Sequence, residues 1–191
     1  MTRSFFSLLV AVVFVLLFTG SAQALRVAIV GDSHAQVLGP MLARAYASQG
    51  HTVTSIVARP GWSSRRFRTV NKLSDRIGVV DVVVVILGGN NRRTSRIAYS
   101  EDIVWLLTEL DFTGADSIVW FGPLWADHPF YQRNHVRSRD LQESIFLWPD
   151  IRWVDMHAAT ERYGRQQDGV HYTRRGYRDM VRDLFVPVLL D

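Results

Sequence analysis

The sequence contains no cysteine, and its 191 residues include only one lysine, Lys72. The missing cysteine excludes disulfide bonds, thiolate nucleophiles and cysteine-based zinc or iron–sulfur sites. Glycine and proline number only 13 and 6, which excludes collagen-like and low-complexity chains. The 48% hydrophobic content is typical of one globular domain, and a net charge of only +4 argues against a nucleic-acid partner.

The amino-terminal segment has the three parts of a secretory signal. Arg3 precedes an apolar run over residues 5–18, and Ala22-Gln23-Ala24 follows with small residues two apart, as a cleavage site requires. As a helix the run would span about 21 Å, which is less than the roughly 30 Å of a bilayer core. We therefore expect a signal peptide over residues 1–24, a domain over residues 25–191 and a secreted or periplasmic location. A retained signal would be the only membrane contact.

Five short apolar runs alternate with amphipathic segments along the rest of the chain. Runs without polar interruption are buried on both faces, as parallel strands between two layers of helices are. The pattern predicts an α/β protein, a three-layer α/β/α sandwich with a parallel five-stranded sheet. The predicted strands are 26–30, 52–57, 79–87, 117–121 and 151–155, and the predicted helices are 35–48, 67–77, 100–110, 131–146 and 174–189.

Polar residues follow the first and third runs where each run ends. Gly31-Asp32-Ser33-His34 leads into a helix, whose free N–H groups and partial positive charge suit a developing oxyanion. A helix cap at Asp32 or Ser33 explains the same residues without chemistry. Gly88-Gly89-Asn90-Asn91 follows the third run, and a carboxamide there either stabilises an oxyanion or belongs to an ordinary turn.

Two further loops carry candidate groups. Pro and Gly at Pro60-Gly61 mark a turn, and Gly61 also lets a backbone N–H approach a ligand closely. Asp168 and His171 stand three residues apart, so the carboxylate can hold the imidazole tautomer and stabilise its protonated form. A surface ion pair is the alternative interpretation. Because ligands bind at the carboxyl ends of parallel strands, we expect these loops to meet at one sheet edge.

Together these blocks resemble those of the SGNH, or GDSL-like, hydrolases, from residue 31 to residue 171. The resemblance implies the flavodoxin-like fold of that family and a catalytic triad of Ser33 as nucleophile, His171 as general base and Asp168 as its orienting partner. It also implies an oxyanion hole built from the N–H groups of Ser33 and Gly61 and from the Asn90 side chain. No cofactor or metal is implied.

Three features depart from the family pattern. His34 stands where leucine is usual, and Asn91 stands where many members have aspartate. We expect Asn91 to brace its loop rather than to act on the substrate. The residues after Gly61 leave Ser64 as an alternative source of the second oxyanion N–H. The nucleophile motif of the α/β-hydrolases, G-x-S-x-G, is absent because Ala35 stands at its last position.

An aromatic segment over residues 125–131 follows the fourth run and contains His128. His128, Asp127 and His135 do not have the spacing of a metal site. We therefore expect this segment to form either a substrate-facing wall or a packed loop. Arginine pairs near the same sheet edge either attract anionic polymers or are ordinary solvated charge. These pairs are Arg65 and Arg66, Arg92 and Arg93, and Arg174 and Arg175.

The sequence therefore predicts a secreted serine esterase that hydrolyses carboxylic esters through an acyl-serine intermediate. Export and an exposed aromatic side chain at Trp62 favour O-acetyl groups on carbohydrate or cell-envelope glycan as the substrate. One alternative is a lipase or thioesterase of the same fold that acts on longer acyl chains. Another is a catalytically silent glycan-binding module.

Overall fold

The computed structural model describes residues 23–70, 72–91, 93–131, 134–146, 148 and 150–190. The expected export signal falls mainly on residues 1–22, outside the described part of the chain. Within the described part, no helix combines the length and the apolar character that a membrane crossing needs.

Five parallel strands form one sheet in the order β2-β1-β3-β4-β5. This confirms the predicted α/β class and the five-stranded parallel sheet. Strand β1 lies between β2 and β3, because the chain crosses over β1 after β2 and adds β3 on the other side. The strands are β1 (Arg26–Gly31), β2 (Thr52–Ala58), β3 (Val82–Ile86), β4 (Ser117–Phe121) and β5 (Ile151–Val154).

Helices connect the strands and form two layers around the sheet. Short 3-10 turns at Gly89–Asn91 and Pro129–Tyr131 follow β3 and β4. The last helices are continuous through a π-helical turn at Val181–Phe185. The helices are α1 (Ser33–Ala47), α2 (Ser64–Phe67), α3 (Leu73–Ile77), α4 (Arg96–Asp111), α5 (Asn134–Ile145), α6 (His157–Thr160), α7 (Arg174–Met180) and α8 (Val186–Leu190).

Strand β3 lies at the centre of the molecule, and all five of its side chains are buried. Successive side chains of a strand point to opposite faces, so β3 contributes to two separate apolar clusters. Val84 joins the cluster formed with α1 and the carboxyl-terminal helices, and Val85 joins the cluster formed with α4. Both faces are therefore covered, which is why a run of β-branched residues without alternation forms this strand.

Strand β2 departs from that rule, because it lies at an edge of the sheet and its exposure alternates along the strand.

The predicted third strand also starts later than expected, at Val82. Asp81 just before it instead forms an ion pair with Arg26.

The single helix predicted over residues 67–77 is wrong, because the chain forms two short helices there. Lys72 between them has a left-handed backbone with φ of 54°, which no right-handed helix can contain. The helix predicted over 100–110 begins earlier, at Arg96. The Ser95 hydroxyl caps it by accepting a hydrogen bond from the Ala98 N–H at 3.2 Å.

Candidate active site

Ser33 is the first residue of α1 and lies two residues beyond the end of β1. Gly31 makes this turn possible, because a Cβ at that position would lie 2.1 Å from the carbonyl oxygen of Ile86. The Asp32 side chain caps the helix by accepting the His34 N–H at 3.0 Å. The turn therefore lies directly against β3 and places Ser33 beside the loop that follows that strand.

Ser33, His171 and Asp168 form one chain of hydrogen bonds. The Ser33 Oγ lies 2.9 Å from His171 Nε2, although the two residues are 138 positions apart. On the other side of the ring, His171 Nδ1 lies 2.7 Å from Asp168 Oδ2. The structure therefore brings the three predicted triad residues together in the order that proton transfer from a serine requires.

The Asp168 carboxylate is held by its own loop. Its Oδ1 accepts the backbone N–H groups of Val170 and His171, both at 2.9 Å. Burial raises the pKa of Asp168, but the hydrogen bonds from the His171 ring and from these N–H groups outweigh burial and lower the pKa to about 2. Asp168 is therefore ionised at neutral pH and can orient the imidazole.

The two asparagines of the third block have different surroundings. Asn91 is fully buried, its Oδ1 accepts the Ser64 N–H at 3.2 Å, and its Nδ2 donates to the Ser64 hydroxyl at 2.6 Å. Asn91 thus braces the second loop against the third, although it stands where many members of the family have aspartate. Because the Ser64 N–H is occupied and Ser64 is buried, Gly61 is the better candidate for the second oxyanion N–H.

Asn90 and Gly61 both line the cavity at Ser33. The Asn90 Nδ2 lies 3.2 Å from Asp32 Oδ2 and 3.1 Å from the carbonyl oxygen of Trp62. Gly61 has φ of 72°, a conformation that glycine adopts without strain. The structure therefore brings the three predicted oxyanion residues, Ser33, Gly61 and Asn90, to the same cavity.

Asp32 makes a second contact in the site, which the sequence did not predict. One carboxylate oxygen caps α1 and the other accepts the Asn90 side chain, while the residue is only 2% exposed. Burial raises the pKa of Asp32 to about 7, against the opposing effects of the His34 N–H, the His171 charge and Asn90. The sequence signal for this second contact is the aspartate directly before the serine, an aspartate whose position predicts only a helix cap.

The cavity has a volume of about 300 Å³ and opens beside the triad. Its polar groups lie on the loops after β1, β2 and β3 and on the His171 loop. The rest of its wall is mainly apolar or aromatic, formed by Val37, Pro60, Leu124, Ala126, Tyr131 and Val170. A small apolar cavity with a few convergent polar groups is the usual form of a small-molecule site.

Two residues of the aromatic segment over residues 125–131, Ala126 and Tyr131, line this cavity. His128 stacks on Phe130 with ring centroids 5.1 Å apart, and Phe130 is 59% exposed. The loop is attached to the His171 loop, because the Asp127 N–H donates to the Gly169 carbonyl at 2.8 Å. Among the described residues, no group of three acidic or histidine side chains is arranged to hold a metal ion.

Trp62, in contrast, does not form an open platform. It is partly buried, packs against the α4 side of the core, and meets Phe67 edge-on with centroids 5.2 Å apart. The expectation that Trp62 is an exposed aromatic was therefore wrong, since packing with α2 determines its position. His135 and Arg92, which the sequence also singled out, have side chains outside the described part of the structure.

Solved structures with similar folds include three hydrolases. A lipase/acylhydrolase from Enterococcus faecalis is 20% identical, and the match covers 86% of this chain and 94% of that one with a TM-score of 0.66. An acetylxylan esterase from Geobacillus stearothermophilus is 14% identical, with 83% and 91% covered and a TM-score of 0.63. A candidate SGNH hydrolase from Slackia heliotrinireducens is 18% identical, with 82% and 94% covered and a TM-score of 0.62.

These similarities establish the fold. The chain has the α/β sandwich of the SGNH hydrolases, as its motif blocks predicted. No protein-family model and no curated protein sequence matches the chain. Identities of 20% or less do not carry a relative's substrate over to this protein, so its activity is argued from its own residues.

Proposed function

We propose that this protein is a serine esterase that hydrolyses carboxylic esters through an acyl-serine intermediate. The observation that carries the proposal is the hydrogen-bonded chain from Ser33 through His171 to Asp168, at 2.9 and 2.7 Å, beside a cavity. The three hydrolases of similar fold support the same reaction class.

In the first half-reaction, the Ser33 oxygen attacks the acyl carbonyl carbon and its proton moves to His171 Nε2. The carbonyl oxygen becomes negatively charged and receives hydrogen bonds from the N–H groups of Ser33 and Gly61 and from the Asn90 side chain, which exchanges its hydrogen bond to the Trp62 carbonyl for one to this oxygen. Asp168 stabilises the imidazolium. The bond to the alcohol then breaks, and His171 returns its proton to the leaving oxygen.

In the second half-reaction, water attacks the acyl-serine. His171 accepts a proton from the water, and the same donors stabilise the second oxyanion. The bond to the Ser33 oxygen then breaks, His171 protonates that oxygen, and the carboxylic acid leaves. The cycle consumes one water and requires no redox change.

The proposed substrates are short acyl esters, above all O-acetyl groups on carbohydrate. A cavity of about 300 Å³ lies at the small end of ligand pockets, which suits an acetyl group better than a long chain. Tyr131 lines the cavity, and the exposed Phe130 next to it in sequence, with His128 stacked on it, adds an aromatic surface that suits a sugar ring. A structural neighbour named an acetylxylan esterase supports this substrate class.

Fluorophosphonate labelling tests the proposal, because only an activated serine reacts with this probe. We expect one label on Ser33 in the purified protein, measured by peptide mass spectrometry, and none in the Ser33→Ala variant. His171→Ala should greatly slow the labelling, because Ser33 then lacks its base. A wild-type protein that neither reacts nor hydrolyses p-nitrophenyl acetate would refute the esterase and favour a silent glycan-binding module.

Acyl-chain preference separates the acetylesterase from the lipase or thioesterase alternative. We expect hydrolysis of p-nitrophenyl acetate to exceed that of the octanoate ester in kcat/KM. A preference for octanoate would instead assign the protein to the long-chain class.

The proposed location is outside the cytoplasm, in the periplasm or the medium. The support is the amino-terminal sequence alone, where Arg3, an apolar run and Ala22-Gln23-Ala24 occur in the order of a secretory signal.

A further inference from the structure

His34, the residue after the nucleophile, makes a contact that the proposed mechanism does not use. Its Nδ1 lies 2.9 Å from the hydroxyl group of Tyr177, which lies on α7, 143 positions further along the chain. Its ring centroid lies 5.4 Å from that of His171. A leucine, usual at this position in the SGNH hydrolases, would fill this space without a hydrogen bond. The histidine therefore adds a polar group beside the triad.

The contact with Tyr177 selects one tautomer of His34. Tyr177 is only 1% exposed, so its hydroxyl group is buried. Within the described part of the chain, His34 Nδ1 is the one acceptor at hydrogen-bonding distance from the Tyr177 hydroxyl group. Because a buried hydroxyl hydrogen without an acceptor is costly, Tyr177 donates to Nδ1, and this network assigns the imidazole proton to Nε2.

The imidazole of His34 is also neutral. Burial lowers the pKa of His34 to about 3, and the charge of the nearby His171 adds to the effect. Nε2 is thus an N–H donor at every pH at which a serine esterase works. Among the described residues it has no hydrogen-bond partner, and His34 forms part of the cavity wall. A fixed donor without a protein acceptor in such a wall indicates an acceptor on the ligand.

The position of His34 indicates which half of the ester it meets. The acyl carbonyl oxygen belongs with Gly61 and Asn90, on the loops after β2 and β3. The leaving oxygen belongs with His171, which returns its proton to it. Since the His34 ring packs beside that of His171, it lies on the same side of the site as the leaving oxygen.

The geometry points to His34 as a specificity residue that donates its Nε2–H to a second oxygen of the alcohol, adjacent to the ester. This inference rests on the proposed esterase activity and names its substrate class. The enzyme would favour acyl esters of vicinal diols and sugars over esters of simple alcohols. A neutral hydrogen bond of this kind contributes a preference of roughly ten-fold in kcat/KM.

Two matched substrates test the inference, cyclohexyl acetate and trans-2-hydroxycyclohexyl acetate, which differ by one oxygen. We expect wild-type kcat/KM, followed by acetate release, to be roughly ten-fold higher for the hydroxylated ester. If the wild-type enzyme cleaves both esters equally well, the esterase proposal stands and the role of His34 is refuted. If it cleaves neither ester and does not react with a fluorophosphonate, both proposals fail.

Variants of His34 then locate the preference. His34→Leu should abolish it while retaining activity on cyclohexyl acetate, and His34→Gln, which keeps an N–H donor, should retain part of it. Tyr177→Phe should weaken the preference, because the tautomer is no longer held. A His34→Leu enzyme that loses activity equally on both esters would overturn the inference and assign His34 to triad positioning.

Discussion

The Asp32 carboxylate connects the nucleophile helix to the oxyanion loop. Its two oxygens accept the His34 N–H and the Asn90 side chain in a nearly solvent-free position. A carboxylate in such a position is costly to ionise unless hydrogen bonds and nearby charge compensate. Here they compensate only in part, since the pKa of Asp32 is still raised to about 7.

Asp32 should make the free energy of unfolding depend on pH between about 4 and 7. The folded-state pKa of Asp32, about 7, lies above the ordinary aspartate value of 3.8, so the unfolded chain loses this proton first as the pH rises. The contribution of Asp32 to stability is therefore complete below pH 4 and is lost as the pH rises towards 7, by up to about 1.4 kcal/mol per pH unit. Chemical unfolding at several pH values measures this slope.

The Asp32→Asn variant is the control, because it lacks the titrating group. Its stability should fall less steeply with pH than that of the wild type over the same interval. Parallel pH profiles for the two proteins would contradict a raised Asp32 pKa.

Asn90 and Asn91 should separate catalysis from stability. Asn90→Ala removes one oxyanion donor, which typically lowers kcat on the order of 10²–10³-fold, and kcat/KM should fall with it. Asn91→Ala leaves the buried Ser64 hydrogen-bonding groups without a partner and should cost about 1–3 kcal/mol of stability. Rates on p-nitrophenyl acetate and thermal melts distinguish the two outcomes. If Asn90→Ala keeps its activity and Asn91→Ala loses it, Asn91 is the oxyanion donor and Asn90 is the bracing residue.

At the scale of elements, the connection from β2 to β3 departs from the predicted single helix. Two short helices, α2 and α3, replace a single helix, and Lys72 between them has a positive φ of 54°. A side chain in this conformation is strained, because Cβ lies close to the following carbonyl oxygen. The ion pair of Lys72 with Asp75 is largely exposed and offsets little of this cost.

Lys72→Gly should therefore stabilise the protein by roughly 0.5 kcal/mol. Glycine removes the strain of the left-handed conformation, and the greater freedom of the unfolded chain offsets part of the gain. Gly78→Ala is a control with the opposite expected sign, because Gly78 has φ of 77° and ψ of −170°, a conformation that essentially only glycine adopts, and open space around the missing Cβ. That substitution should destabilise by about 1–3 kcal/mol through backbone strain alone. Urea unfolding compares the two, and a destabilised Lys72→Gly would contradict the argument.

At the scale of the whole molecule, export is a prediction from the amino-terminal sequence. The exported protein should begin at Leu25, because cleavage follows Ala22-Gln23-Ala24. Intact-mass measurement of the protein recovered from the periplasm or medium checks this. A mass that includes Met1 or the apolar run would instead indicate a retained membrane anchor.

The site also exists only at the scale of the whole molecule. Ser33 and His171 are 138 positions apart, and their loops meet because parallel strands bring their carboxyl ends to one edge of the sheet. The sequence contains no cysteine, so two apolar clusters, one on each face of the sheet, hold the loops in place. Site geometry and core packing are thus properties of the same sheet.

Local patterns were sufficient to predict the class of the fold and most of the residues that the structure brings together at the candidate site. Uninterrupted apolar runs such as that at β3 indicate strands buried on both faces, since the interior selects hydrophobicity directly. Ser33, Asn90, Asp168 and His171 each stand at a strand end or a helix entrance, where turn and capping residues are readable from neighbours in sequence. These features depend on contacts within a few residues.

Only the tertiary structure decided how groups distant in sequence share a proton or a hydrogen bond. Burial from all sides raises the pKa of Asp32, and Tyr177, 143 positions from His34, selects the tautomer of that histidine. The break at Lys72 and the packing of Trp62 likewise follow from neighbours that the local pattern does not contain. Electrostatic and packing energies depend on distance in space, whereas helix and strand propensities depend only on the residue and its neighbours along the chain.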